Sequence, residues 1–69
     1  MEFLEAALTV LREEGEALHW TVIQDLALKR GYLDPFAQPD IRRRLQKALA
    51  DGARGGVLEK VDRGVYGLP

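Results

Sequence analysis

The stretch Val57-Leu58-Glu59-Lys60-Val61-Asp62-Arg63-Gly64-Val65-Tyr66-Gly67-Leu68 decides how the chain is read. Two β-prone runs, 57–61 and 65–68, flank Asp62-Arg63-Gly64. A three-residue loop closing on glycine predicts a hairpin over about 57–68, with Gly64 supplying the positive φ. A lone hairpin is marginal in water and needs a third strand or a helix beside it. The rest of the chain has to supply that support.

Upstream, Ile41, Leu45, Ala48 and Leu49 form one apolar stripe at helical spacing. Pro39 suits a first helical position, with Gln38 before it and Asp40 in the first turn. Gly52 suits the close, so helix 3 is expected over about 39–51, and Gly55-Gly56 reads as a flexible joint. Thr21-Val22-Ile23-Gln24 has capping-box spacing, in which the threonine hydroxyl and the glutamine side chain satisfy reciprocal backbone N–H groups. Ile23, Leu26 and Ala27 continue the pattern to Gly31, which predicts helix 2 over about 22–30. Pro35 forces Asp34 out of helical geometry, so 32–38 is a loop.

Phe3, Leu4, Ala7, Leu8, Val10 and Leu11 place helix 1 over about 2–14, stopped by Gly15. Between helices 1 and 2, Ala17-Leu18-His19-Trp20 is too brief for a helix and predicts a short strand over about 17–20. That strand can pair with the hairpin. The order is helix, strand, helix, helix, hairpin in one domain spanning 1–69. Such an α+β fold, with three helices and a small three-stranded antiparallel sheet, is the arrangement of a winged helix-turn-helix.

Composition limits the function classes. Hydrophobic residues at 46% beside 30% charged suit a folded domain, not a disordered tail. With no cysteine there is neither a disulfide nor a thiolate site. No apolar run reaches the ~20 residues that span a bilayer. Acids stand at the N-terminus where a secretory signal carries bases. The expectation is a cytoplasmic chain, complete or nearly so, with no membrane partner.

The net charge of −1 hides a strong asymmetry. Residues 1–28 hold six acids and one base, whereas residues 29–69 hold nine bases and five acids. On helix 3 the inward stripe leaves Arg43, Lys47 and Ala50 on the opposite side, joined by Arg54 if the helix persists past Gly52. Arg42 and Arg44 lie on the flanks. A helix entering the major groove needs outward donors and small residues at the closest approach. Arg43 fits a guanine edge, and Lys47 fits a phosphate. Arg42 and Arg44 would clamp phosphates. The competing reading is an ordinary solvated helix face. Lys60 and Arg63 lie on the hairpin, where an arginine suits a narrowed minor groove and a soluble turn is the alternative.

Other residues read as structural. His19 has no convergent partners for catalysis or metal binding and is expected to be a strand residue. Trp20 is expected as a core or edge plug under the sheet, with base stacking as the minor alternative. Phe36 either caps the core between helices 2 and 3, the reading favoured here, or offers an exposed anchor to a protein. Glu13, Glu14 and Glu16 are expected as a solvated acidic face. The 52–56 segment lacks the lysine and hydroxyl residue of a phosphate loop.

The residues also resemble the HARE-HTH winged-helix domains, which include a module of the bacterial RNA polymerase delta subunit. The matching stretches are Glu5-Ala6-Ala7-Leu8 with Val10-Leu11, Leu18-His19-Trp20 before Ile23, and Gly31-Tyr32-Leu33. They continue through Pro39, the Leu45 to Leu49 spacing and Lys60-Val61-Asp62-Arg63-Gly64-Val65-Tyr66-Gly67-Leu68. The chain departs from the family before Pro39, where Phe36-Ala37-Gln38 replaces glycine, a basic residue and threonine. The resemblance implies association with nucleic acid or the transcription machinery.

The expected function is double-stranded DNA binding through Arg42, Arg43, Arg44, Lys47, Arg54, Lys60 and Arg63. The alternative is a protein-interaction module docking on transcription machinery such as RNA polymerase. With no nucleophile–base pair, metal cluster or cofactor motif, neither an enzyme nor a cofactor is expected.

Overall fold

A computed structural model describes all of residues 1–69. The elements run α1 (Phe3–Glu14), β1 (Leu18–His19), α2 (Trp20–Lys29), α3 (Ile41–Arg54), β2 (Glu59–Asp62) and β3 (Val65–Gly67). Phe3, Ala6, Ala7, Val10 and Leu11 form the buried stripe of α1, at the spacing one apolar helix face requires. They meet Ile23 and Ala27 of α2, Leu45 and Leu49 of α3, and Leu33, Leu58 and Tyr66. Removing a leucine of this size from water contributes about 2 kcal/mol. The alanines at 6, 7 and 27 are wholly buried and let the helices approach closely.

The sheet is antiparallel with strand order β1-β3-β2, so the short strand does pair with the hairpin. Leu18 stands opposite Tyr66 and His19 opposite Val65. Between Lys60 and Asp62 the β2–β3 register shifts, leaving Val61 as the extra residue of a bulge. Gly64 turns the hairpin with φ 72°. Its carbonyl accepts the Trp20 N–H at 2.8 Å, tying the turn to the start of α2.

Three expected boundaries are corrected. Helix 2 starts at Trp20, not 22, and the Thr21–Gln24 capping box does not form. The cap is His19, whose Nδ1 accepts the Thr21 N–H at 3.3 Å and lies 2.8 Å from the Thr21 hydroxyl. Pairing with β3 ends the strand at His19, and the helix therefore begins one residue later. Gln24 Oε1 is left buried without a partner. Helix 3 is displaced towards the C-terminus: Pro39 lies outside it, Asp40 precedes it at φ 58°, and it runs to Arg54. Aspartate tolerates this left-handed conformation better than most side chains. Gly52 does not stop the helix. It is buried inside α3, where a Cβ would stand 3.0 Å from Leu4 Cδ1 and 3.2 Å from Leu58 Cδ1. The hairpin strands are shorter than expected, beginning only at Glu59.

Phe36 is not in the core; it is 97% exposed. The loop's own hydrogen bonds turn it outward. Asp34 Oδ1 accepts the Phe36 N–H at 2.9 Å, and the Asp34 carbonyl accepts those of Ala37 and Gln38. The Gln38 amide then donates to the Met1 carbonyl at 2.7 Å. The acidic run is exposed as expected, but two of its three residues are paired. Glu13 and Glu14 are bound by Arg30 at 2.8 and 2.7 Å, and the Tyr32 hydroxyl donates to Glu13. Only Glu16 of that run is left without an ion pair.

Candidate nucleic-acid interface

Because Leu45, Leu49 and Gly52 face inward, the helical repeat sends Arg43, Lys47 and Arg54 to the far side of α3. Their side chains are 84%, 76% and 74% exposed, the crest of the helix. Arg54 belongs to this crest because α3 continues through Gly52. Each crest cation has an aspartate partner on or beside the same helix. Arg43 lies 3.4 Å from Asp40, while Asp51 takes Lys47 at 2.9 Å and Arg54 as well. The hydrogen-bonded Lys47 ammonium, reinforced by the charge of Arg54, holds the Asp51 carboxyl below the usual carboxylate range.

The two flanking arginines lie against aromatic rings. The Arg42 guanidinium is 5.7 Å from the Trp20 ring centroid, and that of Arg44 is 4.7 Å from Phe3. A guanidinium held over a ring makes that contact without spending its N–H groups, so these contacts orient the arginines without using up their donors. Arg44 also donates to the Pro39 carbonyl at 3.3 Å. Trp20 is thus a half-buried platform at the start of α2 that packs on the core and carries Arg42 on its ring.

The seven expected residues separate into groups. Arg42 and Arg43, with Asp40 and Gln46, line a depression of about 360 Å³ on one flank, with no apolar residue among them. Arg54 and Lys60 flank a second hollow between α3 and β2, with Ala50 and Ala53 as its small walls and Tyr66 beside them. On the other flank Arg44, with Lys47 at the edge of the crest, borders a hollow beside Phe3 and Leu4 of α1. Arg63 stands apart on the exposed hairpin turn, its N–H bound to Asp62 Oδ1 at 2.7 Å. Lys60 is exposed on β2 opposite Tyr66.

Sequence reasoning missed Gln46 and the two aspartates. Gln46 is neutral and escapes a search for cations, although it lies one turn beyond Arg42. The Lys47–Asp51 pair was readable from its i,i+4 spacing. No three His, Asp or Glu side chains come together as a metal site requires. No helix is long and apolar enough to cross a membrane. Compared with protein-family models, curated proteins and solved structures, the chain matches none.

Proposed function

We propose that the chain is a winged helix-turn-helix DNA-binding module of the HARE-HTH type, non-enzymatic and acting in transcription. In this reading α3 enters the major groove and the β2–β3 hairpin lies as a wing along the backbone. The observation that carries it is the crest of α3: three exposed cations beside Ala50, with Lys60 flanking from the hairpin. Long donors with small residues between them allow the helix backbone close to base edges. The near-neutral total charge does not oppose this, because the cations concentrate on α3 and the hairpin.

The test is a titration of labelled duplex DNA by anisotropy at about 50 and 200 mM salt, with wild type beside an Arg43→Ala, Lys47→Ala double variant. Three to four phosphate contacts predict that affinity drops about 40- to 150-fold across that salt change. The double variant should lose most of the binding. Wild-type binding that the substitutions leave intact would sink the helix-3 reading.

Phe36 favours a second reading, a protein-docking module for transcription machinery such as RNA polymerase. A fully displayed phenylalanine on a hydrogen-bonded loop, between Asp34 and Asp40, suits a protein pocket better than a phosphate backbone. Absence of DNA binding at low salt would leave this reading in place of the first.

A further inference from the structure

We propose that Gln46 is the base-discriminating residue of α3, selecting adenine beside a guanine read by Arg43. The proposal rests on the DNA-binding reading and adds the sequence class of the target. Arg42, Gln46 and Ala50 stand one turn apart on the same flank of α3, forming a single i, i+4, i+8 ridge. At about 1.5 Å per residue the ridge is about 12 Å long, which matches three to four base pairs at about 3.4 Å each.

The chemistry along the ridge is graded. At its start, Arg42 is held over Trp20, and Arg43 has only a long 3.4 Å contact with Asp40 to give up. Both are donors suited to guanine O6 and N7 or to a phosphate. In the middle, the Gln46 amide takes no partner within the chain and, unlike Gln24 Oε1, is not buried. An amide offers one donor and one acceptor in the fork that adenine N6 and N7 require, and no cation can reproduce it. At the far end Ala50 presents a methyl group, the size that fits against a thymine methyl.

The depression that holds Gln46 is lined only by Asp40, Arg42, Arg43 and Gln46 itself, so a base edge there meets polar head groups set on aliphatic stems. Gln46 as a whole is half-buried, which limits where its amide can reach. A half-buried amide among arginines, without a hydrogen-bond partner in the chain, distinguishes this position from a residue that merely solubilises a helix.

The experiment is selection from a duplex library with a randomised core, run on wild type, Gln46→Ala and Gln46→Glu, with salt-dependent affinity for random duplex measured beside it. Wild type should enrich an adenine adjacent to a guanine, with about 10-fold discrimination at the adenine. Gln46→Ala should lose that one preference while keeping its affinity and salt dependence on random duplex. In Gln46→Glu the same position should shift to cytosine, whose exocyclic amine donates to a carboxylate. An unchanged preference in Gln46→Ala, or salt-dependent binding with no adenine preference in wild type, overturns the assignment and leaves DNA binding standing. Wild type that binds no duplex at low salt overturns both.

Discussion

Two charge clusters sit about 20 residues apart in sequence and behave differently. Arg30 reaches Glu13 and Glu14, 17 and 16 residues away, and Tyr32 joins it on Glu13. Asp51 takes Lys47 and Arg54, four and three residues away on its own helix. The first set fastens the end of α2 to the end of α1, and its side chains are 31% to 42% exposed. The second crosses no boundary between elements, and its cations are about three-quarters exposed. Exposed local pairs of this kind add at most about 0.5 kcal/mol to a fold. The Arg30 cluster therefore belongs to the architecture. The Asp51 ladder stays local to α3, and in the proposed DNA-binding reading its two cations would exchange one carboxylate for a phosphate.

The largest effect expected from this contrast is on binding. A Lys47→Ala, Arg54→Ala protein should bind duplex DNA about 10-fold more weakly at 50 mM salt, with the salt slope reduced by about 2. Its thermal midpoint should stay close to wild type. Arg30→Ala should do the reverse, lowering the midpoint while duplex affinity stays within about 2-fold. A fall in midpoint for the double variant as deep as that for Arg30→Ala would erase the distinction between the clusters.

A smaller effect of opposite sign follows from Asp51. Replacing it with asparagine removes the anion that both cations face, so affinity at low salt should rise about 3-fold. Acid does not achieve the same in ordinary buffers. Lys47 holds the Asp51 carboxyl below its usual value of 3.8, so the ladder is fully formed above that pH. It loosens only as pH falls through the lower, folded-state value. Wild-type affinity should thus show no Asp51-dependent gain near neutrality. If Asp51→Asn binds no better than wild type, the ladder does not compete with DNA.

These contrasts also explain what the sequence made legible. The inward stripe of α3 and the Gly64 turn depend on local periodicity and local φ, so both could be read residue by residue. Gly52 could not. Its place inside the helix is set by Leu4 and Leu58, distant side chains that would have to give by a few tenths of an ångström to admit even a Cβ. The cap of α2 was misread because the capping-box spacing points to Thr21, whereas pairing with β3 ends the strand at His19 and makes that residue the cap. Phe36 was misplaced because its apolar ring suggested the core, whereas hydrogen bonds among Asp34, Phe36, Gln38 and Met1 shape the loop that displays it. Within the site, the crest cations followed from periodicity. The seats of Arg42 on Trp20 and Arg44 on Phe3 required the packing of three helices, which no local pattern encodes.

The smallest effect lies in alkaline solution and tests the architectural cluster alone. The Tyr32 hydroxyl donates to Glu13, and that bond, with the reduced hydration around it, keeps the phenol above its ordinary 10.0. A raised folded-state value means the bond stabilises fully below pH 10 and that the contribution is lost as pH rises through the higher value. The chain has two tyrosines, so a Tyr66→Phe background isolates Tyr32 for an absorbance titration of tyrosinate. Tyr32 should titrate late there, and Glu13→Gln should bring it back towards 10. Neither Tyr32→Phe nor Glu13→Gln should alter duplex affinity at neutral pH, because the cluster lies at the ends of α1 and α2, away from the crest of α3. A normal titration of Tyr32 would show that the bond to Glu13 does not hold in solution. A loss of affinity on removing either partner would make this cluster part of the interface and undo the contrast with Asp51.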